Sequence, residues 1–180
     1  PSSATWTKIA TADYSGAVAT VTFTDCFTST YSIYKIYMHD LHCVTTGNDI
    51  NVKLLDDGDS AIGNWTATTN KNYTNDAGGS GGAGASIVQG GADNFYMSTD
   101  DLNDAAAEVS SCQMTIYQPY ESVNTQIEYN LLLNADNGYQ YQWHTYANLF
   151  SSTSARSLNF YTGGGANFSG YKITVLGLNR

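Results

Sequence analysis

Apolar side chains recur at every second position along much of this 180-residue chain, and no other feature limits its fold as tightly. Successive side chains of an extended strand point to opposite faces, so a two-residue period marks a strand with one buried face. In AVATVTFT, Ala17, Ala19, Val21 and Phe23 share a face, against Thr20, Thr22 and Thr24. DINVKLL sets Ile50, Val52 and Leu54 opposite Asn51 and Lys53, and CQMTIYQ sets Cys112, Met114 and Ile116 opposite Gln113 and Thr115. QIEYNLLL does the same with Ile127, Tyr129, Leu131 and Leu133 against Glu128 and Asn130, and YKITV with Tyr171, Ile173 and Val175. About ten such segments, bounded by turn signals such as DDGD, NADNG and TGGG, predict an all-β antiparallel sandwich, jelly-roll-like, with little or no helix. The one helical candidate is STDDLNDAAAEV, where Ser98 or Thr99 can cap a short helix; it reads equally well as a loop.

The length suits a single domain over residues 1–180, large enough to fold without metal or disulfide staples. The rhythm breaks around 64–93, a Gly/Asn/Thr-rich stretch that predicts a long loop or arm, ordered on assembly and used as an interface. Charged residues make up only 13%, with 7 basic against 16 acidic and a net charge of −9. Nucleic acid is therefore not an expected partner, because phosphate neutralisation needs clustered Lys and Arg. No apolar run is long enough to span a membrane as a helix. The start PSSATWTKIA lacks the basic segment and apolar stretch of a secretory signal. If Pro1 follows a removed initiator Met, the chain is expected to be a whole small gene product made in a cytoplasm. Three cysteines, Cys26, Cys43 and Cys112, form no CxxC, which favours reduced thiols and leaves one Cys26–Cys112 or Cys43–Cys112 bridge open.

Each motif that suggests chemistry has a plainer reading. In IYKIYMHDLHC, Tyr34, Ile36 and Met38 share one face and Lys35, Tyr37 and His39 the other. His39 and His42 face opposite ways on a regular strand, so only a turn or bulge after His39 would bring them together. A structural zinc needs four ligands, and His144 is far off in sequence. The stretch reads as a strand end, and no metal is expected. GSGGAG at 79–84 matches G-x-G-x-x-G but neither follows a buried strand nor opens a helix, so it reads as a flexible loop. LLDDGDS, with Asp56, Asp57 and Asp59, is first a hairpin turn, adventitious calcium staying open. No nucleophile elbow is present, and carboxylate pairs drawn from Glu108, Glu121, Glu128 and the aspartates have no readable separation. A non-enzyme without cofactor is expected. In YQYQWHTY, Tyr139, Tyr141 and Trp143 share a face that suits either stacked sugar rings or a core, with Trp143 assigned to the core. Gln140, Gln142, His144 and Tyr146, on the other face, are the candidate partner or glycan surface. N-x-[ST] at Asn64, Asn72 and Asn167 marks surface positions only.

The stretches WTKIATADYSGAVATVTFTD, YSIYKIYMHDL, TTGNDINVKLLDDGDS, QMTIYQP and SARSLNFYTGGGANFSGYKITVLGL stand in an order that resembles the β-sandwich virion proteins of tailed bacteriophages, of decoration, knob or fibre-tip type. The likeness falls on Trp6, Ile9, Phe23, Tyr31, Tyr34, Ile36, Asp57, Gly58, Pro119, Asn167, Phe168, Gly170 and Gly177, all of them fold positions. It does not extend to residues 64–108, and the Cys and His at 39–43 depart from it. It implies a non-catalytic virion structural protein, made in the host bacterial cytoplasm and commonly trimeric. The partners implied are the major capsid protein or other virion proteins, with a host-surface glycan as a further possibility. A capsid decoration (cement) protein is the first expectation, and a receptor- or carbohydrate-binding knob, tail-fibre tip or carbohydrate-binding module the alternative. The expected core comprises Trp6, Phe23, Tyr34, Ile36, Val52, Met114, Ile116, Trp143, Phe168 and Ile173.

Overall fold

The computed structural model describes residues 4–14, 16–45, 48–75, 82–88, 93–98, 102, 110–135 and 139–179. These residues hold twelve strands: β1 (Trp6–Asp13), β2 (Thr20–Phe23), β3 (Tyr31–Cys43), β4 (Ile50–Leu55), β5 (Trp65–Asn75), β6 (Gly82–Val88), β7 (Phe95–Tyr96), β8 (Ser110–Tyr117), β9 (Thr125–Asn134), β10 (Tyr139–Leu149), β11 (Ser157–Thr162) and β12 (Phe168–Asn179). A wide eight-stranded sheet, in the order β1-β12-β3-β8-β9-β10-β5-β6, is joined by a narrow four-stranded one, β2-β11-β4-β7. Every strand pair is antiparallel. The result is a β-sandwich, with no helix among the described residues. The segment Ser98–Val109 lies outside them apart from Ser98, whose hydroxyl accepts the Ile50 N–H, and Leu102, which bridges to Asn48 and Ala135.

The buried faces are the ones that alternation assigns. Ile50, Val52 and Leu54 of the narrow sheet and Phe160 beside them are fully buried, as are Tyr34, Ile36, Met38, Met114, Ile116, Leu131, Ile173 and Val175 of the wide one. Phe23, Phe168 and Trp143 complete one continuous apolar layer. Each such side chain contributes about 1.5–3 kcal/mol by leaving water. Tyr34 is anchored at its polar tip as well: its hydroxyl donates to the Thr28 carbonyl at 3.1 Å and accepts from the Thr28 N–H at 2.7 Å.

Four expectations change. Ala17 and Ala19 are exposed, because β2 begins only at Thr20. Trp6 is not core: it sits on the edge strand β1, 39% exposed, on the outer side of the wide sheet, with the Lys35 ammonium 4.9 Å from its ring centre. The long loop around 64–93 is instead, where described, strands β5 and β6, which extend the wide sheet beyond β10. Gly82 and Gly84, from the supposed loop GSGGAG, belong to β6. Strand β5 escapes an apolar-period reading because two of its inward residues are Thr69 and Lys71. Thr69 is fully buried and satisfies its hydroxyl against Thr145 on β10 at 2.9 Å.

The turn LLDDGDS is the tight reversal that Asp-Gly predicts. The Asp56 carboxylate accepts the Gly58 and Ser60 N–H groups, each at 2.9 Å, and Asp59 takes up a left-handed φ of 59°. All three cysteines are buried and carry unoxidised thiols.

Candidate functional site

Antiparallel pairing from strand to strand across β1-β12-β3-β8-β9-β10-β5 turns the outer face of the wide sheet into a grid of rows. One row runs Trp6, Leu178, Ile33, Tyr117, Gln126, Asn148, Thr66. Two residues along each strand, the next runs Lys8, Leu176, Lys35, Thr115, Glu128, Tyr146, Thr68. A third runs Thr174, Tyr37, Gln113, Asn130, His144, Asn70. Aromatic rings, amides and hydroxyls thus alternate over a face that the narrow sheet does not cover.

Three shallow depressions lie on this face among the described residues. The first, about 290 Å³, lies between Trp6, Lys35, Gln113, Tyr117, Glu128 and Asn130. A second of about 280 Å³ is bounded by Tyr117, Gln126, Glu128, Tyr146 and Asn148. Tyr117 and Glu128 line both, so the two form one trough across the strands. The third, about 200 Å³, lies further along β9 and β10 at Asn72, Leu132, Gln140 and Gln142.

The face is also electrically distinct. Among the described residues only Asp13, Asp40 and Glu128 of the acids lie on strands of the wide sheet, beside Lys8, Lys35, Lys71 and Lys172. The other described acids, Asp25, Asp49, Asp56, Asp57, Asp59, Asp93 and Glu121, sit in turns and connections. Glu128, in the middle of the trough, is held by His144, whose Nε2 lies 3.3 Å from its carboxylate. The His144 ring in turn lies against Tyr146, with centres 4.8 Å apart.

Gln140, Gln142, His144 and Tyr146 all point outward, with Tyr146 50% exposed. Of the four only Tyr146 lines the trough, beside Trp6, Tyr117, Gln126, Glu128 and Asn148; Gln140 and Gln142 line the third depression. Parity in CQMTIYQ already puts Tyr117 with Gln113 and Thr115, but its proximity to Trp6 depends on pairings among strands distant in sequence. The row Tyr139, Tyr141, Trp143 faces inward: Trp143 is 1% exposed, Tyr141 is buried and Tyr139 half-buried. It meets Tyr73, with the Lys71 ammonium 4.1 Å from the Tyr141 ring centre, and offers no row of exposed rings to a sugar.

The MHDLHC stretch does contain the bulge that would bring its histidines to one side. Pairing with β8 shifts register between Met38 and Leu41, and Asp40 adopts a φ of 56°. Met38 and Leu41 are both buried, which leaves His39 and His42 outward. His42 is engaged in packing: its Nδ1 is 2.6 Å from the Ser169 hydroxyl, and its ring lies where a Cβ on Gly170 would be. Among the described residues no three His, Cys, Asp or Glu side chains come together as a metal site would require. Comparison with family models, curated proteins and solved structures finds no match.

Proposed function

We propose that this chain is a non-enzymatic structural protein on the surface of a tailed-bacteriophage particle, of the capsid-decoration type, whose wide sheet face is turned outward for recognition. The virion assignment rests on the resemblance in strand order and turn residues. The observation that carries the recognition role is the partition of charge: a chain of net charge −9 keeps one broad face nearly neutral and lines it with Trp6, Tyr117, Tyr146 and amide side chains. A face of that composition can be covered by a partner at little cost in charge desolvation.

Attachment falls to the opposite end of that sheet. Strand β6 is its outermost member, and Gly82–Val88 contains neither charge nor proline. The other long edge, β1, carries Lys8, Asp13 and a bulge, the usual protection against further pairing. An edge strand without charge or proline suits contact with the major capsid protein, other virion proteins or sister copies, including the trimer that the resemblance implies.

Copy number relative to the major capsid protein in purified particles, by quantitative mass spectrometry, tests the assignment. Copies comparable with the capsid subunit support decoration. A copy number typical of a fibre supports the second reading, a receptor-binding knob or tip, which the exposed Trp6 and Tyr146 and the half-buried Tyr117 favour. Absence from particles overturns both.

A further inference from the structure

The trough between Trp6 and Tyr146 has a chemistry of its own. It crosses the sheet from β1 to β10, five strand spacings, or roughly 24 Å at the usual separation of neighbouring strands. Aromatic rings stand at both ends and near the middle: Trp6 at one, Tyr117 between, Tyr146 at the other. Between them lie Gln113, Gln126, Asn130 and Asn148, planar groups that donate and accept at once. The floor is backbone-rigid sheet rather than loop, so these groups are held in place before any ligand arrives.

Each feature excludes a class of ligand. The depressions are shallow and open, unlike the enclosed apolar pockets that take drug-sized molecules. Among the described residues the only charges lining the trough are Lys35 and Glu128, one of each sign, and Lys35 already lies against the Trp6 ring. A polyanion would need several cations there and would be repelled by the chain's net charge of −9. The remaining class is an elongated, uncharged molecule that presents many hydroxyls at its edges and C–H surface on its flat sides. Amides bind the former and aromatic rings cover the latter.

We propose that this trough is a binding site for a neutral oligosaccharide chain, laid across the strands with sugar rings against Trp6, Tyr117 and Tyr146. This deepens the recognition role given to the wide face and rests on it. Glu128, oriented by His144, accepts hydrogen bonds from sugar hydroxyls at the centre. The length of the trough favours several linked sugars over one, so affinity rises with chain length.

The test uses the full chain on an array of neutral oligosaccharides (glucans, mannans, galactans and N-acetylglucosamine oligomers), then titration calorimetry with the best hexasaccharide and its disaccharide. Expected is binding of a neutral chain, at least tenfold tighter for the hexasaccharide. Tyr117→Ala and Trp6→Ala should each weaken it about tenfold or more while far-UV circular dichroism and Tm stay near those of the parent. Leu132→Ala, on the same face but outside the trough, should leave affinity unchanged. Tyr117→Phe, which keeps the ring, should retain most of the binding and so separates stacking from a folding defect. Retention of acidic glycans only, no retained glycan at all, or affinity indifferent to both aromatic substitutions would overturn the site. Particle copy number is a separate readout: a virion protein that binds no glycan refutes the trough alone, and a glycan binder absent from particles refutes the virion assignment alone.

Discussion

Among the described residues Trp143 is the largest fully buried side chain, and its indole N–H has no hydrogen-bond partner there. Those two facts separate a pair of substitutions. Trp143→Ala removes the whole ring from a packed layer and should destabilise the fold by about 3–5 kcal/mol. For a domain of this size that corresponds to a fall in Tm of about 6–20 °C. Trp143→Phe leaves a smaller gap and also deletes a buried, unsatisfied donor, a group that costs about 1–3 kcal/mol to keep dry. The gain offsets part of the lost packing and part of the contact with the Lys71 ammonium, 5.0 Å from the ring centre. The Phe variant should therefore lie within about 2 kcal/mol of the parent. Urea unfolding followed by far-UV circular dichroism resolves the difference as a shift in midpoint at constant slope. An Ala variant as stable as the parent would mean that Trp143 is not packed in the core. Loss of oligosaccharide binding in a fully stable Phe variant would move the recognition surface to the other side of the sheet.

Gly170→Ala should cost about 1–3 kcal/mol, because the new methyl displaces the His42 ring and its contact with Ser169. The double variant with His42→Ala should cost less than the sum of the two single changes, measured as a coupling in thermal melts. Burial pushes the Cys26 thiol from its ordinary 9.0 up to about 12, and burial raises Cys112 and Tyr129 as well. The unfolded chain sheds these protons first, so stability should be flat with respect to them below pH 9 and decline as pH climbs from about 9 toward 12. Ellman's reagent at pH 8 should find the thiols unreactive in the folded protein and all three available after denaturation. Ala83→Lys, at an exposed position of the outermost strand β6, should lower any concentration-dependent association seen by sedimentation; a parent that stays monomeric at every concentration would refute that edge as a contact.

The sequence discloses strands wherever one face is uniformly apolar and the other polar, as in DINVKLL, CQMTIYQ and QIEYNLLL, whose inward residues are buried to the last side chain. It conceals them where burial is achieved by other means. In β5 the inward Thr69 is kept dry by a threonine partner on β10, and β6 opens on Gly-Ala-Gly, so neither strand shows a clear apolar period. Trp6 misleads for a related reason: a large ring suggests a core, yet an edge strand can present it outward beside a lysine. The two histidines of MHDLHC needed one extra residue to share a side, and no residue type in that stretch announces a left-handed aspartate. The trough was the least legible part. Its parity was visible strand by strand, but the row that sets Trp6 in line with Tyr117 and Asn148 comes from the pairing of six strands scattered through the chain.

Strand β12 lies between β1 and β3 and is the only described neighbour of β1. During translation β3 is therefore finished long before the partner for one of its edges exists. At roughly 5–20 residues per second, the stretch from Cys43 to Phe168 takes roughly 6–25 s to make. For that interval a thirteen-residue strand carrying Tyr34, Ile36, Met38 and Leu41 emerges with one side bare, and β1 has nowhere to dock. Native folding of the wide sheet thus waits on its last strand, and nascent chains at high density have seconds in which β3 of one can pair with β3 of another. Chaperone dependence and yield on rapid overexpression should be governed by that delay rather than by the stability of the finished sandwich.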